Sequence, residues 1–443
     1  MKRPSSRFRV IKQRFSSSIK RGTGEAYLLM RDNPRIDFSN EIIKAALKNL
    51  SYDNQCESRD EYVFGLIEKS AQKEEIKQKI FHVLASGNFD DYNFYHLCNL
   101  VARFAEKGEE EARKAIYKRY YSDPFGFCQN CDEEIIVNLD GMEGLKRIAE
   151  TQGKALLENT ELYVTHWVAT GLQEDNPQIN VYEELASAAN KNQYIKAYYD
   201  AIVEDKENRP EWKREKYSYE TITEAIGKNK TVHIAEKWKK EISKKDIRKL
   251  ADDLLKQTER KKIASYLSIF RTIKWPYEYK NLLTYARFES KQNKKWQSNK
   301  KWQSKNWDML VDRACDALRF FMGADIRELA LEKLNEVRIP YEYTPLLVKN
   351  YKKGDAKLMT EIIMRCKNDN EVHSIASGVI DIYETNKTRE SKEPLEALYE
   401  KINCGLCRTK IIKILLKNKI LSDKIKLEIQ FDSDEETRKL IKH

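Results

Sequence analysis

One motif occurs twice in the second half of this chain. Pro340-Tyr-Glu-Tyr343 followed by Leu346-Leu347 repeats Pro276-Tyr-Glu-Tyr279 followed by Leu282-Leu283, residue type for residue type, at a separation of 64. A proline is tolerated at a helix start, where its missing N–H would have had no intrahelical acceptor. The duplication therefore reads as the opening of a helix pair used twice, and fixed-period self-similarity is the mark of a repeat architecture.

A second echo marks the inner helices of such pairs. Ile326-Arg327 with Leu329-Ala330 aligns with Val372-His373 and Ile375-Ala376, with Thr437-Arg438 and Leu440-Ile441, and with Ala112-Arg113 and Ala115-Ile116. Each follows an acidic or polar turn (Asp325; Asn368-Asp-Asn370; Asp432-Ser-Asp434; Glu109 to Glu111). Those residues cap a helix start and oppose its dipole.

Between these anchors the apolar period is helical: Trp307, Leu310, Val311, Ala314, Leu318 and Phe321 fall on one face. Only 15 glycines and 9 prolines interrupt 443 residues, which leaves room for long helical runs. No convincing alternating strand competes. Glu161 to Ala169 is the best candidate, and its length and surroundings favour a buried helix. The predicted fold is all-α, an alpha-solenoid of helix pairs.

Two interruptions divide it. Asp205 to Lys216 is nearly all charge around Pro210 and reads as a linker at 205–216. It separates an N-terminal array over 1–204 from a C-terminal array over 217–443. Within the latter, Asn293-Lys-Lys-Trp-Gln-Ser298 is repeated at once as Asn299-Lys-Lys-Trp-Gln-Ser304, a Lys/Trp insertion spanning 291–306.

The stretch from Arg327 onward, with Asn350-Tyr351, Gly354-Asp355, His373 and Cys404-Gly-Leu-Cys407-Arg408, resembles a group of bacterial HEAT-repeat proteins that are largely uncharacterised. Arg21-Gly-Thr-Gly-Glu25 and Asp53-Asn-Gln-Cys-Glu-Ser-Arg59 look like the same group, so the resemblance extends over most of the chain; the tandem Trp insertion lies outside it. The resemblance implies a fold and no assigned chemistry.

Charge is placed unevenly. The net +11 includes eight basic groups and no acid in residues 1–21, and seven basic groups with one acid in 287–305. These two segments hold +14 together, so the remaining residues carry about −3. The first 21 residues superficially match an organellar transit peptide, but Phe8, Val10, Ile11, Phe15 and Ile19 favour a first, basic amphipathic helix. No run approaches 18 apolar residues, so no membrane partner is expected. Eight cysteines without a secretory signal read as thiols in a cytoplasm.

The densest polar constellation is Arg21, Glu25, Asp53, Gln55, Glu57 and Arg59. Carboxylates beside guanidinium groups can position a phosphodiester or base, with one carboxylate as general base. Capping and inter-helix ion pairing explain the same residues and are favoured, since no nucleophile or metal-ligand spacing accompanies them. Lys294, Lys295, Trp296, Lys300, Lys301 and Trp302 interleave charge with aromatic faces, as segments that stack on unpaired bases do, and a ligand-free surface loop explains them equally well.

Cys128-Gln-Asn-Cys131 and Cys404-Gly-Leu-Cys407 each have the spacing of half a zinc site. In a solenoid whose repeats touch only their neighbours the two halves are not expected to meet, so no metal and no cofactor is expected, and buried thiols are the default. His373 stands at the arginine position of a repeat, where packing and hydrogen bonding within the array are expected. Arg438 and His443 have an R-x4-H spacing similar to the HEPN ribonuclease motif, which is taken as accidental at a fraying terminus.

The expected function is that of a non-enzymatic, macromolecule-binding scaffold with a protein partner and a possible nucleic-acid partner, in a bacterial setting such as mobile-element defence. The alternative is a DNA-acting enzyme resembling the HEAT-like alkylpurine glycosylases, which cradle duplex DNA in a basic concave face. Fold analogy alone carries no residue roles across.

Overall fold

The computed structural model describes residues 6–87, 91–126, 129–159, 161–209, 214–287, 309–337 and 339–441. Every regular element among them is helical, and no strand occurs. The chain divides into two compact units. The first comprises Met1–Trp212, Asn403–Gly405 and Asp423–His443; the second comprises Lys213–Ile402 and Leu406–Ser422.

In the first unit the basic segment folds as a helix, Ser6–Arg21. Phe15 and Ile19 are buried on its core face, and Phe15 stacks on Phe38 with ring centroids 4.2 Å apart. Lys20 and Arg21 occupy its last turn, where cations complement the dipole. Ten further helices run from Glu25–Asp32 to Gln193–Asn208. Each packs on elements close to it in sequence: Ser39–Leu47 on Lys73–Ser86, Lys73–Ser86 on Glu110–Ser122, Gln129–Glu158 on Gln193–Asn208. Gln129–Glu158 breaks at Gly141, whose φ of 56° is a left-handed value that glycine adopts readily. The same helix meets Gln193–Asn208 at Gly153, where a Cβ would overlap the Tyr194 carbonyl oxygen.

Two expectations shift here. Glu161 to Ala169 is not one helix: Leu162 to Thr165 lies outside any helix, and the helix begins at Trp167. The charged stretch 205–216 begins inside Gln193–Asn208, and Asp205 is buried.

The second unit runs from Tyr219–Gly227 to Gly405–Lys417. Side-chain caps set several starts: Ser218 in a capping box with Thr221, Ser243 on the Asp246 N–H, and Asn368 on the Glu371 N–H at 3.0 Å. The duplicated Pro-Tyr-Glu-Tyr motif opens two different elements. Pro340 precedes a 3-10 helix, Tyr341–Leu347, because Pro345 sits inside it and withholds the N–H that an α-helix would use. Pro276 precedes the α-helix Lys280–Ala286. The leucine pair is buried in both.

Three of the four copies of the inner-helix echo are buried stripes; in the fourth Thr437 is buried, but Leu440 and Ile441 are only half-buried. Ile326, Leu329 and Ala330, then Val372, Ile375 and Ala376, then Ala112, Ala115 and Ile116 are all buried. In two of the copies the arginine reaches a carboxylate further along the chain. Arg113 pairs with Asp140, 27 residues on. Arg327 forks onto Asp355, 28 residues on, at 2.7 and 2.8 Å.

Candidate functional site

The segment Arg21 to Glu25 turns the chain between the first two helices. Gly22 has φ +72° and Gly24 lies against the main chain of Glu428; a Cβ at either would overlap Arg59 or Glu428. Glycine therefore lets two other segments approach. Gly22 accepts a bond from the Ser433 N–H at 2.8 Å, and Tyr62 donates to the Thr23 carbonyl at 2.8 Å.

Arg59 sits in this space with 2% exposure. Nη1 donates to the Arg21 carbonyl at 2.9 Å and Ser433 Oγ at 2.6 Å; Nη2 donates to the Asn403 carbonyl at 3.0 Å and to Glu57 Oε2 at 3.3 Å. Glu57 Oε2 also accepts the Gly405 N–H at 2.8 Å, and Asn403 Nδ2 donates to the Leu50 carbonyl at 3.0 Å. Glu25 accepts from Ser18, Arg14 and Arg21. Burial alone would raise its pKa, but the hydrogen bonds from Ser18 and Arg14 and the charges of Arg14 and Arg21 outweigh that and hold it below the usual range.

Arg21, Glu25, Glu57 and Arg59 thus come together as a buried network that ties the N-terminal helices to 403–405 and to the C-terminal helices of the same unit. Asp53 and Gln55 stand apart as exposed residues of the preceding loop, where Asp53 Oδ1 accepts the Gln55 N–H at 3.0 Å. Further along the C-terminal segment, Arg438 pairs with Glu61 at 2.7 Å and donates to the Asp432 carbonyl at 2.8 Å.

A second constellation escaped the sequence. Tyr163 and Trp167 are 61% and 51% exposed, and the Arg209 guanidinium lies over the Trp167 ring, 4.6 Å from its centroid. Asp205 underlies them. It accepts from the Tyr163 hydroxyl, from the His166 N–H at 3.0 Å and from Arg209 Nε at 3.4 Å, and it lies 2.6 Å from His166 Nδ1. Burial pushes Asp205 up, yet the Tyr163 and His166 bonds and the Arg209 charge win and hold it strongly ionised. An ionised Asp205 makes Nδ1 the donating ring nitrogen. Sequence offers no signal for this pairing, because Asp205 reads as part of a charge run and its partners lie 39 to 42 residues earlier.

In the second unit Asp312 is buried among charges. Its carboxyl is pushed up to about 7, by burial first and then by Asp316, against the pull of Arg271 at 3.8 Å. Arg271 is committed to Asp316 at 2.6 Å, and Arg313 to the Ala264 carbonyl at 2.6 Å.

Among the thiols, Cys404 is buried in the first unit and Cys407 is half-buried in the second, as is the side chain of His373. Cys128, the Cys131 side chain, Lys294, Lys295, Trp296, Lys300, Lys301, Trp302 and His443 lie outside the described residues. No helix of the described residues is long and apolar enough to cross a membrane. No protein family, curated protein or solved structure matches the chain.

Proposed function

We propose that this chain is a non-enzymatic scaffold of HEAT-type helix pairs that binds a polypeptide partner in a cytoplasm. The observation that carries the reading is the Tyr163, Trp167 and Arg209 surface. Tyrosine, tryptophan and arginine are the residues enriched at binding hot spots, since each offers a large contact area with a polar tip. Here Asp205 and His166 hold them from beneath, so little ordering remains to be lost on binding.

The buried network at Arg59 and Glu57 supports the non-enzymatic half of the proposal. Its charged groups hold chain segments together, which gives them a structural role that needs no substrate. The extent of near-neighbour helix packing within each unit supports the helix-pair array.

The test is affinity capture from the native host with and without nuclease treatment. The same polypeptide should be retained in both. Retention that disappears after nuclease would show nucleic-acid bridging instead, and retention of nothing would remove the proposal.

A further inference from the structure

We propose that a cleft in the second unit binds an organic di- or triphosphate, with the phosphates held among Lys353, Lys387 and Arg389. The cleft measures about 620 Å³, within the range of small-molecule sites. A water molecule takes about 30 Å³, so a single oxyanion would leave most of this volume empty. Every wall belongs to the second unit: one side is the turn before the helix Asp355–Arg365, the other is the end of Asp369–Thr385 and the residues that follow it.

Charge selects the sign of the ligand. Lys353, Lys387 and Arg389 are exposed, and none of them pairs with a carboxylate among the described residues. The lining has one carboxylate, Glu390, and it is committed to the wall, where Oε2 accepts from the Tyr351 hydroxyl at 3.1 Å and from the Gly354 N–H at 2.9 Å. The cleft therefore carries a net charge of +2 with all three cations available. A guanidinium fork and two ammonium groups suit the oxygens of adjacent phosphates better than a lone carboxylate. The main-chain N–H groups of Lys387, Thr388 and Arg389 meet no acceptor among the described residues, which adds donors on the same loop.

The walls are set before a ligand arrives. Asn386 Nδ2 donates to the carbonyls of Val348 at 2.9 Å and Ile382 at 2.8 Å, and Asn418 Nδ2 donates to the Thr388 carbonyl at 3.4 Å and to Ser391 Oγ at 3.1 Å. Lys387 is thus carried between two anchored residues, so the ordering cost of binding falls on side chains alone. Tyr351 offers an aromatic surface for the organic part. Glu390 fixes its hydroxyl, and its ring packs edge-on against buried Tyr383 with centroids 5.6 Å apart.

The test is calorimetric titration of the full chain at low salt with ATP, ADP, AMP, adenosine and inorganic tripolyphosphate. The expected result is one ATP or ADP per chain, bound at least about tenfold tighter than AMP, with no binding of adenosine and with tripolyphosphate weaker than ATP. Lys387→Glu and Arg389→Ala should each weaken ATP binding by at least about tenfold at an unchanged melting temperature, since both side chains are exposed. Lys244→Glu, at an equally exposed lysine on the helix Lys244–Lys256, should leave the affinity nearly unchanged, which separates a site from general attraction to a basic chain. No binding of ATP or tripolyphosphate at millimolar concentration, AMP binding as tightly as ADP, or an equal loss in Lys244→Glu and Lys387→Glu would overturn the proposal. Tripolyphosphate binding as tightly as ATP would overturn the role given to the organic part.

Discussion

Arg59 donates from Nη2 to the main-chain carbonyl of Asn403, 3.0 Å away and 344 residues further along the chain. The same side chain serves Arg21, Ser433 and Glu57, so its removal strands several buried acceptors and the Glu57 carboxylate together. Breaking a buried pair by deleting one partner costs about 3–5 kcal/mol. Arg59→Ala should lower stability to urea by that amount. Arg59→Lys should recover only part of it, because an ammonium cannot reproduce the two-pronged fork. A loss below about 1 kcal/mol for Arg59→Ala would mean the network bears little of the unit's stability.

Two glycines on helices of the first unit predict opposite responses to a methyl group. At Gly153 the new Cβ meets the Tyr194 carbonyl oxygen, so two helix backbones must separate. At Gly171, within Trp167–Asp175, it meets open space. Gly153→Ala should lower the melting temperature, overpacking costing about 1–3 kcal/mol. Gly171→Ala should raise stability by about 0.5–1 kcal/mol through helix propensity. Thermal melts of the two variants check both signs.

Asp312 makes the stability of the second unit depend on pH in a defined direction. Its carboxyl titrates near 7 in the folded chain and near 4 when unfolded, so the folded state holds a proton that the unfolded state has lost between those values. Its contribution is complete below about pH 4 and is lost as pH rises through 7, with a slope of at most about 1.4 kcal/mol per pH unit. Asp312→Asn should therefore gain on the wild type from pH 5 to pH 7.5. Urea titrations of both proteins at the two pH values measure that difference, and a constant difference would refute the assignment.

The helical class, the first helix and the buried stripes are legible in the sequence because apolar spacing reports a helix face directly. Ile326, Leu329 and Ala330 need no partner to be recognised. The networks are not legible, since nothing local links Arg59 to Asn403 or Asp205 to Tyr163. Asp205 reads with its charged neighbours, although the residue that decides its environment is His166, 39 positions away.

The Lys/Trp repeat gives a separable test of nucleic-acid binding. Deleting Asn293 to Ser304 should leave the melting temperature nearly unchanged if it is a surface loop; a drop of several degrees would show packed tryptophans. If the segment binds single strands, neutralising Lys294, Lys295, Lys300 and Lys301 should flatten the log–log salt dependence by about 0.7 for each phosphate that no longer meets a lysine. Trp296→Ala and Trp302→Ala should weaken binding with little change in slope, since stacking releases few ions.

The scaffold account rests most directly on whether the Trp167 surface holds the partner. The measurement is the affinity of the captured polypeptide for wild-type chain and for Trp167→Ala, with a melt of each. The account predicts a loss of at least about 30-fold, the equivalent of a hot spot near 2 kcal/mol, at an unchanged melting temperature. Equal affinity in a folded Trp167→Ala variant would contradict it.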